Sequence, residues 1–202
     1  IANLVVRRSL ETPSNVSNSN TALANLRKVK IRHNPPSLIS RDSMVKVYTD
    51  VRGNLGPPSV MIQTTPGEDW IKDRWQAASD MHGTAIPGVH WVVLEFSSVV
   101  SFASKVILDW EAAYARDYRI EVSMDKVDWK VLFDSHTDSK LRTIAESGQS
   151  PGVRTKTPLH ILHTIMFPEN EHKFKFLRVY IRKSAMGWGV SLWQLDVYGV
   201  MN

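Results

Sequence analysis

Two short stretches bring together side chains suited to recognition chemistry. In "DWEAAYARDYRIEVSMDKVDW", residues 109–129, Trp110, Glu111 and Tyr114 crowd a bend between two apolar-rich strands. In "RKSAMGWGV", residues 182–190, Arg182 and Trp188 mark a second loop, with Trp188 standing between two glycines. Saccharide recognition needs an aromatic plate for the C–H face of a sugar ring and a few charged or amide groups for its hydroxyls. These five residues offer both, and Trp188 is the aromatic best placed for exposure. Glu111 has two open roles: hydrogen bonding to sugar hydroxyls, or capping of loop amides within its own bend. Trp75, Trp91, Trp129 and Trp193 lie in strand-like runs and are expected in the core.

Other chemistries find less support. No GxSxG, P-loop or GxGxxG pattern occurs. The absence of cysteine excludes disulfides and thiolate chemistry and removes the usual ligands of structural zinc. His160 and His163 in "LHILHTIMF" fall on opposite sides of a strand and do not converge on a metal. A glycosidase needs two carboxylates over one cleft, and nothing in the sequence points to such a pair. These patterns give no support for a catalytic site.

The elements that must position these residues read as strands. Runs rich in Val, Ile, Phe, Tyr and Trp, separated by Gly, Pro, Asp and Ser, predict strands near 44–51, 59–64, 90–97, 103–110, 117–124, 128–133, 158–166, 174–183 and 191–199. Alternation is clearest in "YRIEVS", where Tyr118, Ile120 and Val122 share one face. No segment sustains an apolar period of 3.6, so helix should be scarce. Many short strands with turns between them predict an all-β sandwich or barrel. No apolar run approaches the roughly 18 residues of a membrane-spanning helix.

Charge divides the chain in two. The net charge is +5, and residues 1–40 hold six basic residues against Glu11 alone, which accounts for all of it. Residues 41–202 are balanced and lack the basic stripe of a nucleic-acid binder. Residues 1–40, with "ETPSNVSNSNT" and "NPPS", read as an irregular basic arm able to dock on an acidic partner surface, and 41–202 as the folded domain. The polar segment 134–157 reads as an insertion for a partner.

The block "VILDWEAAYARDYRIEVSMDKVDWKVLF" resembles the middle of the discoidin, or coagulation factor 5/8 type C, domain, in the form attached to microbial polysaccharide-degrading enzymes. "LRVYIRKSAMGWGVSLWQLDVYG" resembles that family's close, and "GEDWIKDRWQAASDMHGTAIPGVHWVVLEF" its acidic turn, Arg-Trp pair and Trp-containing strand. The resemblance covers roughly 41–202. It implies an antiparallel jelly-roll β-sandwich of the galactose-binding type that binds a glycan, a lipid head group or a protein through loops at one end. It also implies a structural calcium at the acidic turn, with Asp69 and Asp73 as its nearest ligands. The family's Asp-Gly-Asn turn is replaced here, and its final-strand Glu is Gln194, a weaker ligand for a hard cation.

Two functions follow. One is a non-catalytic, lectin-like module that holds a glycan with Trp110, Glu111, Tyr114, Arg182 and Trp188, extracellular as the resemblance implies. The alternative is a structural accessory subunit that keeps the sandwich without sugar binding and docks on a protein assembly. The altered calcium turn, the lack of cysteine and the acid-poor arm motivate that alternative, with an organelle interior as its compartment.

Overall fold

Apolar runs in "HWVVLEF" and "ASKVILDW" form two halves of one long strand, each of which turns alternate side chains into the same core. In the computed structural model, which describes residues 35–148, 158–167 and 172–202, these halves are continuous. Among the described residues ten strands form: β1 Ser37–Leu38, β2 Lys46–Thr49, β3 Trp75–Gln76, β4 His90–Trp110, β5 Ala115–Ser123, β6 Lys130–Asp134, β7 Arg142–Ser147, β8 His160–Met166, β9 Phe174–Ser184 and β10 Ser191–Met201. All pair antiparallel.

Strand β4 belongs to both layers of the sandwich. Its first half, His90–Glu95, pairs with β2 on one side and β9 on the other, and β9 continues the layer to β5 and β6. A register shift between Glu95 and Val100 turns the strand at its serine-rich centre. The second half then pairs with β10 and β8, and β7 closes the edge beyond β8. Between the layers lie Val92, Leu94 and Phe96 from the first half, and Val106, Leu108 and Trp110 from the second. Val179 and Ile181 of β9 and Leu195 and Val197 of β10 complete this core.

The all-β sandwich expectation therefore holds, and three local readings are corrected. Residues 59–64 are not a strand: Pro58–Ile62 is a 3₁₀ turn that buries Val60 and Met61. The Pro57-Pro58 pair fixes φ and removes two amide donors, which suits a helical first turn and no ladder. Part of the supposed insertion 134–157 is sheet, because Arg142–Ser147 pairs along β8. Residues 149–157 of that segment lie outside the described residues.

The arm boundary at 40 is also too late. Ser37 and Leu38 pair with Gly199 and Tyr198, and Ile39 is buried in the core. Residues 36–202 form one compact unit. The basic residues of the arm, at 7 to 32, lie outside the described residues. Among the described residues no helix is long and apolar enough to cross a membrane.

Candidate functional site

The bend between β4 and β5 is tied to the start of β10 by its own backbone. The Glu111 amide donates to the Ser191 carbonyl at 3.2 Å, and the Ser191 amide donates to the Ala113 carbonyl at 2.8 Å. The Glu111 carboxylate accepts the Ala113 amide at 3.0 Å, so of the two roles open to it, capping of the bend is met within the fold. Glu111 is 4% exposed, and burying a carboxylate demands a countercharge.

Arg74, just ahead of β3, supplies that countercharge. Its guanidinium lies 3.8 Å from the Glu111 carboxylate and is 1% exposed. Arg74 Nε donates to the Trp70 carbonyl at 2.8 Å, and Nη1 donates to Gln76 Oε1 at 2.8 Å and Ser191 Oγ at 2.6 Å. Burial pulls the Arg74 pKa down to about 10 while Glu111 opposes the shift, so the group stays cationic at neutral pH. The Trp70 ring covers the guanidinium at 4.2 Å, a cation–π contact.

Above this buried pair opens a cavity of about 170 Å³ at the loop end of the sandwich. Trp70 and Trp188, 45% and 47% exposed, line it together with Met81 and His82 of the 79–84 loop, while Arg74, Gln76 and Glu111 contribute its charged and amide groups. Gln76 Nε2 donates to the Trp188 carbonyl at 3.2 Å and so anchors the loop that carries the indole. Gly189 holds that loop against β3: its φ is +85°, and a Cβ there would sit 2.3 Å from the Ala77 carbonyl oxygen. The 79–84 loop is closed by Asp80, whose Oδ1 accepts the amides of His82 and Thr84 at 2.9 and 3.1 Å.

Of the residues singled out from sequence, the structure gathers Glu111 and Trp188 in this cavity. Trp110 is fully buried, its ring 5.8 Å from Tyr118 and 6.1 Å from His163. As the last inward residue of β4, in step with Val106 and Leu108, it offers no plate to a ligand. Tyr114 sits edge-on to His163 at 5.9 Å and does not line the cavity. Arg182 points away as well: it alternates with inward Ile181 and pairs with Asp117 at 2.6 Å and Asp134 at 2.7 Å. It lines a separate cleft with His90.

Sequence reasoning missed Trp70, Arg74, Gln76, Met81 and His82. A signal was present in "DWIKDRW", where Trp70 stands among polar residues, and in its Arg-Trp pair. The meeting of Arg74 with Glu111 is a tertiary contact that spacing does not encode.

The residues expected at a calcium site are committed elsewhere. Asp69 Oδ1 accepts the amides of Ile71 and Lys72 at 2.9 and 3.0 Å, which holds the Asp69 carboxyl below the usual carboxylate range. Asp73 Oδ2 accepts the Asp69 amide at 2.8 Å. Gln194 Nε2 donates to the Val60 carbonyl at 3.1 Å, and its buried Oε1 has no partner among the described residues. Calcium takes six to eight oxygens, and among the described residues no three His, Cys, Asp or Glu side chains gather to hold a metal.

Comparison with known proteins agrees with the architecture. Chitosan-binding module 1 from the chitosanase/glucanase of Paenibacillus sp. IK-5 superposes with a TM-score of 0.55 at 20% identity, covering 81% of this chain and 100% of the module. The family 32 carbohydrate-binding module of Clostridium perfringens NanJ, in complex with galactose, gives a TM-score of 0.53 at 11% identity over 81% of this chain and 98% of its own. Allantoicase from Saccharomyces cerevisiae gives 0.51 at 15% identity, over 77% of this chain but 40% of the enzyme. At such identities the likeness is one of fold. No curated protein matches the chain in sequence. The family model of the F5/8 type C domain matches residues 47–194, and the chain belongs to that family.

Proposed function

We propose that this domain is a non-catalytic, lectin-like module that binds carbohydrate at the loop end of the sandwich, between Trp70 and Trp188. The observation that carries the reading is the pairing of two half-exposed indoles with a buried Arg74–Glu111 pair beneath them. The rings supply plates for sugar C–H faces. The fixed guanidinium, carboxylate and Gln76 amide supply polar groups that need no reordering when a ligand arrives. Chitosan- and galactose-binding modules among the structural neighbours support the same reading.

The carboxylate of the cavity is bound into the fold. Glu111 is the one carboxylate among the described residues that line it, and its charge is held by Arg74. Glycoside hydrolysis uses two carboxyl groups flanking the scissile bond. The capping of the Ala113 amide by Glu111 favours a second reading, in which the bend is braced for stability and the domain serves as an accessory subunit without a sugar ligand.

A glycan array separates these readings. The full chain should retain at least one glycan, and Trp188→Ala should release it while the melting temperature holds. An array with no retained glycan, combined with a lowered melting temperature in Glu111→Gln, would establish the accessory reading instead.

A further inference from the structure

A second and larger concavity, about 370 Å³, lies on the outer face of the layer built from β2, the first half of β4, β9, β5 and β6, against the turn between β5 and β6. It is lined by Tyr48 of β2, Trp91 and Val93 of β4, Arg178 of β9, and Lys126 and Trp129 of the turn between β5 and β6. Register places these strand residues on one face, since Tyr48 opposes Val93, Val93 opposes Arg178, and Trp91 opposes Tyr180. The outward face of an antiparallel layer is ordinarily polar. Here it presents Tyr48, 39% exposed, beside the partly exposed rings of Trp91, Trp129 and Tyr180.

The walls of this groove are fixed in advance. The 123–129 turn closes on Asp125 Oδ1, which accepts the amides of Val127 and Asp128 at 2.8 and 3.0 Å. Lys126 sits in the left-handed region with φ of 67°, and the Trp129 indole donates to its carbonyl at 3.0 Å. The Arg178 guanidinium lies 3.9 Å over the Trp129 ring and is tethered to Glu121 at 2.6 Å. Lys126 Nζ stands 4.7 Å from the Tyr48 ring centre and pairs with Glu95 at 3.2 Å, and the Tyr48 hydroxyl donates to the same Glu95 oxygen at 3.0 Å.

Both cations of the groove are thus closed onto carboxylates, so it selects neither an acidic nor a basic partner. What remains is aromatic plates flanked by guanidinium, carboxylate and phenol groups in a concavity within the size range of small-ligand sites. We propose that this groove is a second carbohydrate site, which takes a neutral oligosaccharide across the sheet face. The proposal is independent of the loop-end site, with which the groove shares no lining residue.

The test uses the full chain on an array of neutral, uronate-bearing and sulfated oligosaccharides, with Trp129→Ala, Tyr48→Ala and Trp188→Ala run in parallel and folding checked by circular dichroism. At least one neutral glycan should lose tenfold or more in affinity on Trp129→Ala or Tyr48→Ala and keep its affinity on Trp188→Ala. Tyr48→Ala decides the case if Trp129→Ala fails to fold. The proposal is overturned if no neutral glycan is bound, if folded groove variants bind every glycan as the parent does, or if only charged glycans respond. It is also overturned if sedimentation shows that the groove variants convert a dimer to a monomer without altering glycan binding, which would assign the face to a second copy of the chain. Retention of every glycan by Trp188→Ala would instead count against the loop-end reading and leave this one standing.

Discussion

The two concavities use the same residue types in opposite orders of depth. At the loop end the charges are at the bottom, Arg74 and Glu111 being 1% and 4% exposed, and the indoles of Trp70 and Trp188 stand above them. On the sheet face Arg178 and Lys126 reach solvent beside the aromatics, with side chains 22% and 44% exposed. Depth decides what each charge does. A buried cation is part of the fold, because its removal strands a carboxylate away from water, whereas an exposed one adds little.

The sharpest way to break that contrast is Arg74→Met, which keeps the side-chain bulk and removes the charge. It should cost about 3 to 5 kcal/mol of stability by urea denaturation, since it leaves Glu111 buried and uncompensated. It also strips a donor from Gln76 and Ser191. A loss below about 1 kcal/mol would show that water reaches the pair and that the depth distinction fails.

Acid provides the next test, because the loop-end bend rests on a titrating core. His163, 1% exposed, stacks on Tyr118 at 5.7 Å and meets the Trp110 ring at 6.1 Å. Burial depresses its pKa from 6.5 to about 4. The unfolded chain therefore takes up a proton below pH 6.5 that the folded chain refuses until about pH 4, so stability falls across that window. The drop amounts to about 3 kcal/mol. His90 and His160 behave in the opposite sense: Asp50 and Asp109 raise their pKa values, and their stabilisation, complete below 6.5, is lost as pH rises. His163→Phe should flatten the slope between pH 6.5 and 4 measured by urea denaturation, and an unchanged slope would assign the acid sensitivity to other groups.

These cases show what the sequence made legible. Short apolar-rich runs and the alternation in "YRIEVS" were sufficient for an all-β sandwich or barrel, because period-2 burial is written directly into residue order, and the family resemblance narrowed this to the sandwich. Order says less about which inward side chain reaches solvent. Trp91 and Trp129, read as core, are partly exposed and line the sheet-face groove, while Trp110, read as a ligand plate, is fully buried. All three lie in or beside strands of similar composition, and only the sheet pairing assigns their faces. Trp188 between its glycines was legible because flanking residues alone can place an aromatic in a loop. The partnership of Arg74 with Glu111 depends on how the β3 and β4 ends meet, which no local pattern records.

Ligand binding sharpens the comparison at intermediate cost. Trp188→Ala removes a half-exposed plate at the cavity rim, so it should weaken loop-end glycan binding by about 1 to 3 kcal/mol. Stability should stay within about 0.5 kcal/mol of the parent. Calorimetric titration and thermal melting of the same samples measure both. A drop in melting temperature without an affinity change would make the Trp188 loop a structural element.

The smallest effect is expected on the sheet face, from Arg178→Met. Its guanidinium joins Glu121 at 2.6 Å and covers Trp129 at 3.9 Å, so both an ion pair and a cation–π contact are lost. Glu121 is 6% exposed and loses its countercharge, but Arg178 is 22% exposed, so water reaches the vacated site, and methionine retains contact with the indole; the net loss should be about 1 to 2 kcal/mol, below that of Arg74→Met. High salt should shrink it further, because screening weakens the pair already in the parent, whereas the Arg74→Met loss should persist in salt. Urea denaturation of both variants at low and high ionic strength makes the comparison directly. An Arg178→Met loss as large and as salt-resistant as that of Arg74→Met would mean that the groove is as desolvated as the loop-end floor, and that its charges, too, belong to the core.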